Sequence, residues 1–413
     1  MKVRLPALRF GLFALGLSLA SCTSPRPVPA APAAVILISI DGFRWDYIEK
    51  YDAPVLKQLA ADGVRAERMN PSFPSKTFPN HYTLVTGLRP EHHGIVGNWF
   101  WDPALGEMFN MQKTEEKWWS GGEPVWITAQ KQGVRSACYF WPGSETSHGG
   151  ILPSLYQPFD GKMSSAARVD GLLAWLDLPA EQRPRLVTLY FDIVDHVGHT
   201  YGPDAPETRV AVKEADDAVG RLLAGLTSRG LREAYNLVIV SDHGMSSCGP
   251  DQVVFLEDLM DLKSVQVEQT GPTGGVRPKP GTVSAAQLVA SIRAKAPPQV
   301  NVYLREEVPA RLHFRASNRI SPVVLICDDH WNLETKAGWP KRVLTYTRGN
   351  HGWDPETPNM GALFVAQGPV FRRGETIPAF DNIHVYNLLC TVLGVQPAPN
   401  DGDNRLTRTV LRR

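Results

Sequence analysis

The chain has 413 residues, 43% of them hydrophobic and 21% charged, a composition that excludes a disordered polymer and a small module held together by disulfides. Its 43 Lys and Arg stand against 42 Asp and Glu, so no net field gathers a polyanion and no stable nucleic-acid partner is expected. Small anionic substrates are compatible with that balance.

At the N-terminus Lys2, Arg4 and Arg9 precede an apolar run from Phe10 to Ala20, too short to span a bilayer and typical of a secretory signal. The run ends in Leu19-Ala20-Ser21-Cys22, which resembles the bacterial lipobox. Residues 1–21 are therefore expected to be a lipoprotein signal peptide, with lipidated Cys22 opening the mature chain; an ordinary signal peptide is the alternative. Thr23 stands where an Asp commonly retains such proteins at the inner membrane. Export across the inner membrane and a periplasmic place on the outer membrane, held by the lipid anchor, are the expectation. Pro25, Pro27, Pro29 and Pro32 make residues 22–33 a stiff tether.

Four apolar runs follow, Val35–Ile40, Leu186–Phe191, Leu237–Val240 and Ala362–Ala366, each read as a buried parallel strand of an α/β sheet. The first ends in Asp41, the second leads to Asp195 and His199, and the third ends in Asp242-His243. Loops at the carboxyl ends of parallel strands meet at one edge of the sheet, where α/β enzymes do their chemistry. Residues from about 262 to 342, rich in Gly and Pro and carrying β-type runs at Val300–Leu304 and Pro322–Cys327, read as an inserted lobe. Cys138, Cys248, Cys327 and Cys390 are scattered; no disulfide framework is required, although one bridge is open to them in an oxidising compartment. Trp99, Trp101, Trp118, Trp119, Trp126 and Trp141 read as packing.

Asp41, Asp195, His199, Asp242, His243 and His351 combine carboxylates with imidazoles, a donor set suited to Zn²⁺. Singly, each has an ordinary reading: an Asp-His pair in a loop, or Asp195 as a helix N-cap. Thr77 precedes Pro79 in a stretch that stops at Gly87, which places its hydroxyl at the start of a helix, either as a cap or facing an anion.

The stretch Pro74-Ser75-Lys76-Thr77-Phe78-Pro79-Asn80-His81-Tyr82, with Val85-Thr86-Gly87 and Pro90-Glu91-x-His93-Gly94-Ile95 after it, resembles the nucleophile segment of the nucleotide pyrophosphatase/phosphodiesterase family of the alkaline phosphatase superfamily. Asp41-Gly42-Phe43-Arg44, Asp195-x-x-Gly198-His199-x-Tyr201-Gly202-Pro203, Ser241-Asp242-His243-Gly244-Met245, His351-Gly352-Trp353 and the stretch from Asn382 to Gly402 resemble further family segments, in order. The resemblance implies an α/β/α sandwich with a mostly parallel central sheet, and residues 34–413 as a phosphodiesterase domain. It implies two Zn²⁺ per chain, one on Asp41, Thr77, Asp242 and His243 and the other on Asp195, His199 and His351. Thr77 is the implied nucleophile, and Asn98 the donor to a nonbridging phosphate oxygen. Phe78, Tyr190 and Phe159 are the implied aromatic plates for a nucleoside. His81, His92 and His93 have no ligand role in that pattern.

The expected reaction is hydrolysis of a nucleotide phosphodiester or pyrophosphate to a nucleoside 5′-monophosphate through a phosphothreonine at Thr77. Choline or glycerol phosphodiesters are the alternative substrates, and a surface binding protein that keeps its metals for structure is the non-enzymatic alternative.

Overall fold

Apolar runs without alternation, such as Ala34–Ile40 (β1), every residue of which is buried, can be satisfied only in a sheet covered on both faces. The structure, a computed structural model, describes residues 33–412 together with Met1; the expected leader, Cys22 and the prolines of the tether lie outside the described residues. Along the chain β1 is followed by β2 (Val64–Ala66), β3 (Ser136–Tyr139), β4 (Leu155–Gln157), β5 (Leu186–Phe191) and β6 (Tyr235–Val240). Four strands of a second sheet come next, β7 (Val265–Gln269), β8 (Thr273–Pro278), β9 (Val300–Leu304) and β10 (Val323–Cys327). The chain then returns to the first sheet with β11 (Phe364–Gln367) and β12 (Glu375–Ile377).

The central sheet has the order β12-β2-β11-β6-β1-β5-β3-β4. Strands β6, β1, β5, β3 and β4 pair in parallel, with Ile36 opposite both Val187 and Leu237. Alternate residues of β1 feed opposite cores. Ile36 and Ile38 pack with Leu56 of α1 (Pro54–Asp62), and Val35 and Leu37 with Leu84 of α2 (Thr77–Thr86). Leu172 of α3 (Ser165–Leu176) joins the first core, α4 (Ile193–Tyr201) follows β5, and α5 (Pro206–Ser228) adds Val212 and Val219 to the first core. These layers make the α/β/α sandwich.

One expected strand direction is corrected. The run at Ala362–Ala366 forms β11, which lies antiparallel to both neighbours, Val365 facing Ile239 of β6 and Arg65 of β2. Its apolar pattern records burial and carries no direction. The chain enters β11 from the edge where β6 ends, Ser241 N donating to Leu363 O at 3.1 Å, so it runs back across the sheet.

The second sheet, ordered β7-β8-β10-β9, is antiparallel throughout. Leu288, Val289 and Ile292 of α6 (Ala285–Arg293) pack on Val276, Val323 and Leu325 in a core that also takes in Trp353, two residues beyond His351. Cys138, Cys248, Cys327 and Cys390 are all buried and unbridged. Among the described residues no helix is long and apolar enough to cross a membrane.

Candidate active site

The parallel strands deliver their carboxylates to one edge. Asp41 follows β1 directly and is anchored by its N–H to Phe191 O (2.9 Å); Asp242 follows β6 by two residues and accepts from Gly42 N (3.2 Å). Gly42 has φ +68°, and a Cβ there would stand 2.9 Å from the Cα of Asp195. Glycine is thus required both by the turn and by the approach of α4. Asp195 and His199 are one turn apart on that helix, so they share a face, with His199 Nε2 3.4 Å from Asp195 Oδ2.

Thr77 is the first residue of α2, Lys76 is the N-cap without a side-chain cap bond, and Gly87 closes the helix in the left-handed conformation. The Thr77 hydroxyl is therefore not used as a cap and sits 3.4 Å from His243 Nε2, in the positive field of the helix start. The loop before it is held by Asn80. Its side-chain nitrogen donates to the carbonyls of Ser72, Pro74 and Lys76, while its Oδ1 accepts from Ser72 N and Asn382 Nδ2. Ser75 Oγ donates to Trp353 O, and Ser75 O accepts from His351 Nδ1 at 2.8 Å.

The ligand atoms of Asp41, Asp242 and His243 lie within 4.8 Å of one another, as do those of Asp195, His243 and His351. His243 is common to both groups, its ring stacked on His351 at 3.5 Å between centroids. His199 stands at the outer side, 5.0 Å from the His351 ring. All three imidazoles are oriented alike. The Nδ1 of His199, His243 and His351 faces a backbone carbonyl, of Gly349, Gly244 and Ser75 respectively. A carbonyl only accepts, so each Nδ1 carries a proton and each Nε2 is the nitrogen turned inward, as in metal-ligating histidines.

Asp41 Oδ1 and Asp195 Oδ1 are buried without hydrogen-bond partners, a costly state for carboxylates that a shared cation relieves. The residues fit a metal on these grounds. Burial, then the neighbouring Asp242 and Asp195, push Asp41 well above the usual carboxylate range. Burial opposes ionisation of Asp242 too, but His243 and His81 hold it well below that range. Burial disfavours the charged form of His243, and Asp242 overrides it and raises its pKa; the field that favours a proton there favours a metal cation as well. His351 is held neutral by burial and by His243 and His199.

Of the remaining sequence-predicted residues, Asn98 uses its Oδ1 to accept from Phe78 N (3.0 Å), which leaves its Nδ2 to donate. Phe78 is half-buried against Phe109 and Trp119, and Phe159 is 55% exposed, so both present ring surface. Tyr190 is a correction. Its side chain is buried beneath the site, and its hydroxyl donates to Asp41 Oδ2 at 2.6 Å. It orients a candidate ligand and is not available as a plate. The expectation followed the residue type at that place and gave no weight to the inward register of β5. Trp99 departs from the packing reading as well, being 49% exposed.

His81 is buried between Thr77 O (2.9 Å), Ser39 Oγ (2.8 Å) and Asp242 Oδ2 (3.3 Å). It supports Asp242 and keeps no lone pair for a metal. His93 is buried on Thr83, and His92 pairs with Asp401 at the surface. The roles of Ser39, Asn80 and the Tyr190 hydroxyl were not expected; the only local signal for Asn80 was its place in the Phe-Pro-Asn-His run.

Residues 35–354 match the sequence model of the type I phosphodiesterase/nucleotide pyrophosphatase family. The chain belongs to that family. It is 38% identical over 403 residues to mouse ectonucleotide pyrophosphatase/phosphodiesterase family member 1, an alignment covering 95% of this chain and 44% of that protein. The chain thus spans less than half the length of that relative. It is 37% identical over 381 residues to an uncharacterized pyrophosphatase/phosphodiesterase of Schizosaccharomyces pombe, covering 90% of this chain and 79% of the relative. Murine ectonucleotide pyrophosphatase/phosphodiesterase 5, solved as an inactive Thr-to-Ala variant in complex with AMP, superposes with a TM-score of 0.86 at 32% identity. That match covers 92% of this chain and 100% of the other.

Proposed function

We propose that this protein hydrolyses nucleotide phosphodiesters or pyrophosphates to nucleoside 5′-monophosphates, with Thr77 as nucleophile and two Zn²⁺ per chain. The observation that carries the reading is the placement of the Thr77 hydroxyl, uncommitted as a cap, 3.4 Å from His243 Nε2 beside two groups of inward-facing ligand atoms. Asp41, Asp242 and His243 with Thr77 would hold one metal, and Asp195, His199 and His351 the other. Zinc there supplies the positive charge that lowers the pKa of the hydroxyl and stabilises the departing oxygen.

The chain's own residues do the rest. The start of α2 favours the deprotonated Thr77 and the incoming phosphate. Asn98 Nδ2 donates to a nonbridging oxygen, and Phe78 and Phe159 offer faces to the nucleoside base. The Thr77 Oγ–P bond forms as the bond from phosphorus to the departing oxygen breaks. Water then attacks phosphorus and Thr77 regains its proton. AMP in the complex of the murine relative supports a nucleotide over choline or glycerol diesters.

The test is the Thr77→Ala variant beside a chelated and a zinc-restored wild type. Activity is expected to vanish in the first two and return in the third, with the melting temperature of Thr77→Ala near that of the wild type. Full activity in Thr77→Ala, or in verified metal-free protein, refutes the mechanism. We further propose that Cys22 is lipidated and anchors the mature protein; a soluble wild type with an unmodified Cys22 by intact mass refutes this.

A further inference from the structure

A second group of imidazoles and carboxylates, separate from the one at Thr77, joins the short helix Pro90–His93, which follows α2, to the loop that comes after β9. Glu91 lies on that helix with its side chain mostly buried, and its Oε2 accepts from the backbone N–H of Arg315 (2.6 Å) and of Ala316 (2.8 Å). Its Oε1 accepts nothing among the described residues and faces two rings, His92 Nε2 at 3.9 Å and His313 Nδ1 at 4.0 Å. Two imidazoles therefore turn a nitrogen toward one carboxylate oxygen.

The surroundings prepare those nitrogens for a cation. His92 Nδ1 lies 2.7 Å from Asp401 Oδ2, which also accepts from Arg89 N. An ionised carboxylate only accepts, so Nδ1 carries a proton and Nε2 is left toward Glu91, the arrangement in which a carboxylate backs a metal-bound imidazole. His313 closes the turn Ala310–Leu312 with φ +47°, a left-handed backbone that is uncommon outside glycine and costs energy unless the structure uses it; that turn presents its ring to Glu91. Burial, then Arg89, push His313 below the usual imidazole range, so at neutral pH it is uncharged and able to ligate. The nearby guanidinium groups are engaged elsewhere, Arg89 with Asp381 and Arg315 with Val308 O.

We propose that Glu91, His92 and His313 bind a divalent metal ion of the zinc type, and that the ion clips the loop after β9 to the helix Pro90–His93. Two imidazoles and a carboxylate suit such an ion, with water in the remaining position. At metal–ligand distances of about 2.0–2.2 Å, neighbouring ligand atoms of a tetrahedral site stand about 3.4 Å apart, so each imidazole has about half an ångström to close toward Glu91. Unlike the two groups at Thr77, these atoms are not already gathered around one point. Both rings are nearly half exposed and have room to turn, and the ion draws the loop in as they do.

Equilibrium dialysis against micromolar free Zn²⁺ counts the ions bound per chain. The wild type is expected to hold one more than His92→Ala and one more than His313→Asn, whose side chain tolerates the left-handed turn. Equal counts in all three overturn the site. The difference does not depend on how many ions the residues at Thr77 hold, so it stands or falls apart from the chemistry proposed there. Asp401→Asn keeps an acceptor for Arg89 N and is expected to weaken the extra ion roughly tenfold to a hundredfold; undiminished affinity overturns His92 as a ligand. Hydrogen exchange at the N–H groups of Arg315 and Ala316 is expected to slow on adding Zn²⁺ to the wild type and not to His92→Ala. An extra ion that leaves those rates unchanged overturns the clip.

Discussion

Replacing Tyr190 by Phe keeps the ring and removes only the hydroxyl that donates to Asp41 Oδ2 at 2.6 Å. The pair is buried, so water does not restore the lost bond. A hydrogen bond to a charged group contributes about 1.5–3 kcal/mol, which at about 1.4 kcal/mol per decade is roughly tenfold to a hundredfold in affinity. Asp41 shares its group with Asp242 and His243, and the loss is expected in Zn²⁺ affinity at that group, read by competition against a chromophoric chelator. With saturating zinc, KM for a nucleotide diester should move little. If Tyr190 acted as a stacking plate, Phe would serve as well and zinc affinity would be unchanged. An unaltered zinc affinity in Tyr190→Phe refutes the positioning role.

Three further outcomes follow from other parts of the site and its frame. Arg168 is 2% exposed, bonds to Tyr190 O and Asp192 Oδ1 (2.9 Å each), and lies over the rings of Phe140 and Phe159 at 5.1 and 5.9 Å. Arg168→Met should let Phe159 drift and raise KM for nucleotide substrates several-fold with kcat little changed; an equal loss in kcat counts against this. The segment from Tyr139 to Gly143 has no Lys or Arg, and Arg135 bonds to Gln182 O at the opposite end of β3. With no charged donor on that segment for a monoester's extra charge, p-nitrophenyl thymidine 5′-monophosphate should exceed p-nitrophenyl phosphate in kcat/KM by at least about tenfold; equal efficiencies would contradict this. Burial pushes His93 down to about 3, so the unfolded chain takes up a proton that the folded one refuses, and stability present above about pH 6.5 is lost as pH falls. Between pH 7.5 and 5 that is about 2 kcal/mol. Urea unfolding of His93→Gln should show a pH dependence smaller by that amount, and an identical dependence would show that His93 is not held neutral.

The parts of the fold legible in the sequence were those in which burial and chain punctuation coincide. An apolar run ending in Asp41 or Asp242 marks a buried strand and its edge, and Pro79 with Gly87 brackets the helix that Thr77 opens. Asp195 and His199 fall one turn apart and meet on one face. Strand direction was not legible at Phe364–Gln367, because hydrophobicity has no polarity along the chain. Strand β8 was hidden by Gly274 and Gly275, which weaken strand propensity. In the structure a Cβ on either would meet Leu333 or Ser321 at 2.5 Å or less, so closeness of packing explains the composition. Tyr190 and His81 were legible as residues near the site and not by role, since which end of a side chain does the work depends on partners remote in sequence.

Ser75 accepts from His351 across 276 positions of sequence, and its hydroxyl reaches Trp353 across 278. Thr273 of the second sheet donates to the carbonyl of Gly352 in between. The loop before Thr77, the last of the candidate ligands and the second sheet are thereby one hydrogen-bonded unit, and it closes only when distant parts of the chain have come together. Contacts of such separation are slow to form and are made late. A ribosome-bound chain that has not yet emitted His351 therefore carries Thr77 without its partners, so catalytic competence arises near the end of folding and is lost with any cut that frees that loop.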